Sequence, residues 1–220
     1  MPADQAAGLR RRREASPLHA VYCFFESSAS TLQLTQALAQ LGRTVLLVDT
    51  CGRFFSDTTT RSLFHWQQQL ARGQLLTQPI ASGDGWFAPG LMTEPPAWDR
   101  IAQDYDHVVI DAGPPDKDLT IMPGTIRLAL ATLDDTVESK LRVYSLIKTL
   151  AADGQHFSIG LLGAMQAGEH VREASCRFLA PDLGQAIYSV AQEGDAFAAL
   201  AVRMLAEEAS LTTRYKTGQT

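Results

Sequence analysis

The chain has 220 residues and a mass of 24.0 kDa, with 45% hydrophobic residues, 20% charged residues and a formal net charge of −5. That is one domain's worth of chain with ample apolar content for a core, which excludes a wholly disordered protein. The negative balance argues against a generic nucleic-acid coat, because meeting phosphates needs a positive field. The apolar runs at 45–48, 128–131 and 196–202 fall far below the roughly 18 residues that span a bilayer. No apolar segment follows the arginines at 10–13, so no secretory signal is expected. Cys23, Cys51 and Cys176 are widely spaced and form no CxxC pair. Neither a disulfide framework nor a zinc site is indicated, and the expected compartment is the cytosol.

In chain order, residues 1–18 read as a polar, basic head closed by Pro17. Residues 19–25 (HAVYCFF) read as a buried strand. Ser27, Ser28 and Ser30 offer N-caps, and Leu34, Leu38 and Leu41 recur at i, i+4, i+7 as on an amphipathic helix. Gly42 is placed to close that helix. Residues 44–49 (TVLLVD) are apolar on both faces, as a central parallel strand is. The stretch 50–104 is mixed, with a helical pattern at 62–72 and a Gly- and Pro-rich loop at 83–96.

Further strands are expected at 107–111, 127–133, 157–162 and 186–190. Helices are expected at 137–151, 169–179 and 195–208. On the first of these, Leu141, Tyr144 or Ser145, and the run 147–150 are expected on the buried side. Phe197, Leu200, Ala201, Met204 and Leu205 form one side of the last helix, whose acidic Glu207 and Glu208 suit a core-covering helix better than a lipid-seeking one. Residues 209–220 read as a polar tail. Alternating strands and helices imply an α/β fold with a mostly parallel sheet covered by helices on both faces.

Three features together carry a family resemblance. They are the segment ALAQLGRTVLLVDTCG (37–52), the segment YDHVVIDAGPP (105–115), and the order of elements around them. Over roughly 19–208 the chain resembles the MinD/ParA group of deviant P-loop ATPases. The resemblance implies that Asp49 opens the first switch, that Asp111 is the acid near magnesium, and that Gly113 approaches the γ-phosphate.

The departure from that family is as informative. Where the family carries a loop like GKGGxGKT, this chain reads Phe24, Phe25, Glu26, Ser27, Ser28, Ala29, Ser30, Thr31, with neither glycine nor lysine. Such a loop does not readily adopt the left-handed angles of a phosphate nest. It lacks the main counter-charge to a nucleotide tail, and Glu26 adds repulsion. Cys51 stands where a second switch acid is expected, and Gly163 or Ala164 where the family's base-contacting Asn falls. The expectation is a pseudo-ATPase without bound ATP or magnesium, in which Asp49, Asp111 and Gly113 are vestigial and the two acids cap the turns that follow them.

The head adds a second resemblance. Asp4, Gln5, Ala6, Leu9 and Arg10 match the DQAxxLR segment of FlhG-type (FleN, YlxH) proteins, MinD-like regulators of flagellar number. The resemblance implies a partner, the SRP-type GTPase FlhF, which this segment binds as a short helix and stimulates. On a helix, Gln5 and Leu9 share a face. A glutamine can orient the water that attacks a γ-phosphate, which makes Gln5 the candidate acting in trans, while the chain has no catalytic residue of its own. A flagellar C-ring protein or a transcription factor stands open as a further partner, membrane association is expected to be weak or indirect, and placement at the cell pole would come through partners. Two alternatives stay open: a working ATPase with an atypical phosphate loop, or a MinD-like accessory protein of another secretion or polysaccharide system.

The remaining signals read as ordinary. His19, His65, His107, His156 and His170 lie in different segments with no paired motif, so none is assigned as a ligand or base. Phe54, Phe55 and Trp66 suit core packing or a partner patch. Cys23 reads as packing, and Cys51 has no neighbouring base in the sequence.

Overall fold

A computed structural model of the chain describes residues 19–49, 53, 77–79, 105–113, 126–152 and 157–217, without the side chains of 48, 49, 77–79 and 210–217. The head with Asp4, Gln5, Ala6, Leu9 and Arg10 lies outside the described residues. So do Cys51, Phe54, Phe55, Trp66 and the expected helix 62–72 and loop 83–96.

Strand β1 is His19–Phe24. Its side chains alternate between two cores, Ala20, Tyr22 and Phe24 on one face and Val21 and Cys23 on the other. Helix α1, Ser28–Gln40, starts at Ser27, whose hydroxyl oxygen accepts from Ala29 N–H at 3.2 Å. It ends in a Schellman closure: Arg43 N–H reaches Leu38 O and Gly42 N–H reaches Ala39 O, with Gly42 at φ +76°. Leu34 and Leu38 are buried as expected, but Leu41 is exposed because it sits in the C-cap, past the last full turn.

Strand β2 is Val45–Asp49, β3 Thr77–Pro79, β4 His107–Asp111 and β5 Ile126–Leu133. Helix α2 is Val137–Ala152, β6 Ser158–Gly163 and α3 Met165–Phe178. The short α4, Leu183–Ala186, precedes β7, Ile187–Ala191, and α5 runs Ala196–Thr217. β3 and α4 have too few residues for a periodic signal. On α2 the buried residues are Ser139, Val143, Leu146, Ile147 and Leu150. Leu141 is 60% exposed, which corrects its expected place on the inner side: the helical stripe through Val143, Ile147 and Leu150 turns position 141 outward. α5 continues well past its expected end at Glu208, into the stretch read as a polar tail.

The sheet order is β3-β2-β4-β1-β5-β6-β7, and every strand pairing among the described residues is parallel. Helices α2 and α3 cover the face built around Tyr22, Ile110 and Ile159. Helices α1 and α5 cover the face built around Val21, Val109 and Leu130, with Leu200, Ala201 and Met204 fully buried as the sequence implied. Among the described residues no helix is long and apolar enough to cross a membrane. The chain leaves β1 toward β2 on one side and leaves β5 toward β6 on the other. In such sheets a crevice opens outside the carboxyl ends of the strands at that switch point.

Candidate functional site

Asp111 ends β4 at that rim and is wholly buried. In register it lies beside Cys23 of β1 and Asp49 of β2. A carboxylate taken out of water at such a place costs several kcal/mol unless it is paired and hydrogen-bonded.

The pairing comes from two distant segments. Thr31, in the first turn of α1, donates its hydroxyl to Asp111 Oδ1 at 2.9 Å. Arg53 donates Nε to Asp111 Oδ2 at 2.8 Å and Nη2 to Oδ1, a forked contact that matches guanidinium to carboxylate. The remaining arm of the fork, Nη1, donates to the carbonyl oxygens of Phe25 at 3.0 Å and Glu26 at 2.9 Å. One cation thus ties the loop after β1 to the end of β4. The Glu26 side chain turns away and meets Arg142 of α2 at 2.5 Å, a pair exposed enough to contribute little.

The polarity of this loop is that of a cation site. Carbonyl oxygens of Phe25 and Glu26 face the guanidinium, whereas a phosphate nest presents backbone N–H groups through alternating right- and left-handed residues. No residue from Phe24 to Thr31 has a positive φ. Gly113, just beyond Asp111, does, at +65°. Burial raises the Cys23 thiol well above its ordinary value, with a further push from the Asp111 charge and some relief from Arg53.

The structure therefore brings together Asp111, Gly113, Thr31 and the loop read from the sequence, and sets the backbone of Asp49 beside them. Among the described residues, Asp111 is held by Thr31 and Arg53. Arg53 was missed, although a buried acid with no lysine in the adjoining loop implied a cation from elsewhere.

A second cluster lies at the opposite ends of the same strands. His19 and His107 are register partners, first in β1 and β4, with ring centroids 5.4 Å apart. Glu208 of α5 sits against both, 2.9 Å from His107 Nε2 and 3.1 Å from His19 Nδ1. Burial pushes the Glu208 carboxyl upward, but contacts from His107 and His19 outweigh it, and the net displacement is downward. Two of the histidines read as unpaired, His19 and His107, are thus brought together here, with Glu208 buried beside them.

No protein-family model matches the chain, and no curated protein matches it. Solved structures do. The chain is similar to the MinD cell division protein of Aquifex aeolicus at 13% identity and a TM-score of 0.54, over 87% of this chain and 98% of that one. It is also similar to a ParA family ATPase from Chlorobium tepidum, at 16% identity and TM-score 0.48 over 81% and 85% of the two chains. The cell division ATPase MinD of Pyrococcus furiosus matches at 16% identity and TM-score 0.48, over 84% and 98%. The chain shares the fold of the MinD cell division protein.

Proposed function

We propose that this chain is a nucleotide-independent regulatory module on a MinD-like fold, acting in flagellar biosynthesis through its N-terminal segment. The observation that carries the first half is Arg53. Its guanidinium occupies the crevice between the loop after β1 and Asp111, neutralising the acid and facing two loop carbonyls. A triphosphate tail entering there would meet the carbonyl oxygens of Phe25 and Glu26 in place of N–H donors and lysine. In this reading neither ATP nor magnesium is required. Mg-ATP titrated calorimetrically into the full chain is expected to give no heat; micromolar binding would overturn the reading.

The second half rests on the head. Asp4, Gln5, Ala6, Leu9 and Arg10 are proposed to dock on an FlhF-type GTPase as a short helix, with Gln5 reaching its active site. Gly8 weakens the isolated helix by about 1 kcal/mol relative to alanine, so ordering accompanies docking. Adding the protein to purified FlhF with GTP tests this: acceleration that disappears in Gln5→Ala is expected, and no acceleration counts against it.

A working ATPase is the second reading, and one observation favours it. The Thr31 hydroxyl on Asp111 is the pairing of hydroxyl and acid that holds magnesium in P-loop enzymes. It requires Arg53 to leave, and the same Mg-ATP titration separates the two readings.

A further inference from the structure

Three metal-ligating side chains converge at the amino-terminal ends of β1 and β4, where the crevice has no use for them. Glu208 places Oε1 2.9 Å and Oε2 3.0 Å from His107 Nε2, and Oε2 3.1 Å from His19 Nδ1. One donor atom from each of the three residues falls within 4.8 Å of the others. His107 and Glu208 are buried, while His19 stands at the rim with its side chain 14% exposed.

This arrangement fits a cation better than a simple ion pair. His19 Nδ1 is buried and 3.1 Å from Glu208 Oε2, yet it makes no well-formed hydrogen bond among the described residues. A metal ion between the three groups would engage that nitrogen. Spacing agrees as well. Tetrahedral zinc with bonds of about 2.0–2.1 Å sets neighbouring donors about 3.3 Å apart. The imidazole–carboxylate separations here need to open by only a few tenths of an ångström. Donor type selects the ion: two imidazoles and one carboxylate suit zinc and similar transition metals, whereas magnesium and calcium favour all-oxygen shells.

We propose that His19, His107 and Glu208 form a divalent transition-metal site, with zinc the best-matching ion, which pins α5 to the two central strands. Three protein ligands leave a fourth coordination position for water. On binding, each imidazole ligates in its neutral form, with its one proton carried on the ring nitrogen that does not face the metal. The site lies roughly 13 Å along the strand from Asp111, four residues at the usual rise, so it stands apart from the crevice and from the reading of it above.

The test uses the full chain stripped with chelator and then titrated with Zn²⁺ alone and with Co²⁺ alone. One equivalent should bind and raise the melting temperature. The cobalt spectrum should show four-coordinate nitrogen–oxygen ligation without sulfur charge-transfer bands. His19→Ala, at the rim, and Glu208→Gln, which keeps the side-chain shape, should each lower zinc affinity at least tenfold while remaining folded in chelator by circular dichroism. Zinc that fails to bind, thiolate bands in the cobalt spectrum, or unchanged affinity in a folded variant would each overturn the proposal. If both variants unfold, the wild-type cobalt spectrum and stoichiometry decide it alone.

Discussion

Arg53 Nε lies 2.8 Å from Asp111 Oδ2, and through this contact a side chain from outside the regular elements neutralises a wholly buried acid at the end of a central strand. Removing one partner of a buried pair typically costs 3–5 kcal/mol, because the other charge is left without compensation. Arg53 is partly open to solvent and Thr31 still serves the carboxylate. Arg53→Ala is therefore expected to lower stability by about 2–4 kcal/mol, and Arg53→Lys by less, since an ammonium keeps the compensating charge although it cannot reproduce the fork. Urea unfolding of both variants measures this; equal stability to the parent would refute the pairing.

Thr31 is the other donor to that acid, and it is fully buried. A hydrogen bond to a charged group contributes about 1.5–3 kcal/mol. Thr31→Val keeps the shape and deletes the donor, so a loss in that range is expected, with Thr31→Ser close to the parent. Denaturant midpoints of the two variants, compared directly, decide it.

Two glycines with positive φ separate strain from space. A methyl group at Gly163 would lie 1.9 Å from the carbonyl oxygen of Leu133, at φ +141°. That oxygen already accepts from Ala164 N–H at 2.9 Å, so it is not free to move. Gly163→Ala is expected to cost at least about 3 kcal/mol or to prevent folding. At Gly42 a methyl would meet nothing within 4 Å, and only the left-handed backbone is strained. Gly42→Ala is expected to cost about 1–2 kcal/mol. Thermal melts of the pair should rank them in that order.

Cys23 should give the protein an alkaline limit. Burial holds its folded thiol well above the ordinary 9.0, while the unfolded thiol titrates near that value. Above pH 9 the unfolded chain therefore releases a proton that the folded chain keeps. The stability this group contributes is complete below that pH and is lost as pH rises, by up to about 1.4 kcal/mol per unit. Tyr188, raised mainly by burial and further by Glu207 and Glu208, acts in the same sense above its ordinary 10.0. Unfolding free energies between pH 8 and 11 should fall more gently in Cys23→Ala than in the parent. In a Cys51→Ser background, Cys176 should react with iodoacetamide in the native protein and Cys23 only on unfolding.

The frame of the fold was open to reading because its signals are local. Each long strand contains an apolar run, and Ser27 and Gly42 mark both ends of α1 through backbone chemistry that needs no distant partner. Leu141 and Leu41 show the limit: periodicity alone does not say which of two adjacent stripes faces inward, nor where the last turn stops. The site was half legible. Asp111 and the glycine-free loop were visible, but Arg53 lies in a stretch of mixed composition and joins them only in space. The pairing of His19 with His107 depends on which strand lies beside which, information that no window of sequence contains.

That alignment has a consequence for folding. Sliding β1 by one position against β4 would turn its side chains to the opposite faces. Sliding by two would keep the faces but strand one imidazole without Glu208 and shift Asp111 away from its seat beside Cys23. Polar groups at both tips of a single strand pair thus work as a gauge, and only one setting of the two ribbons satisfies both ends at once.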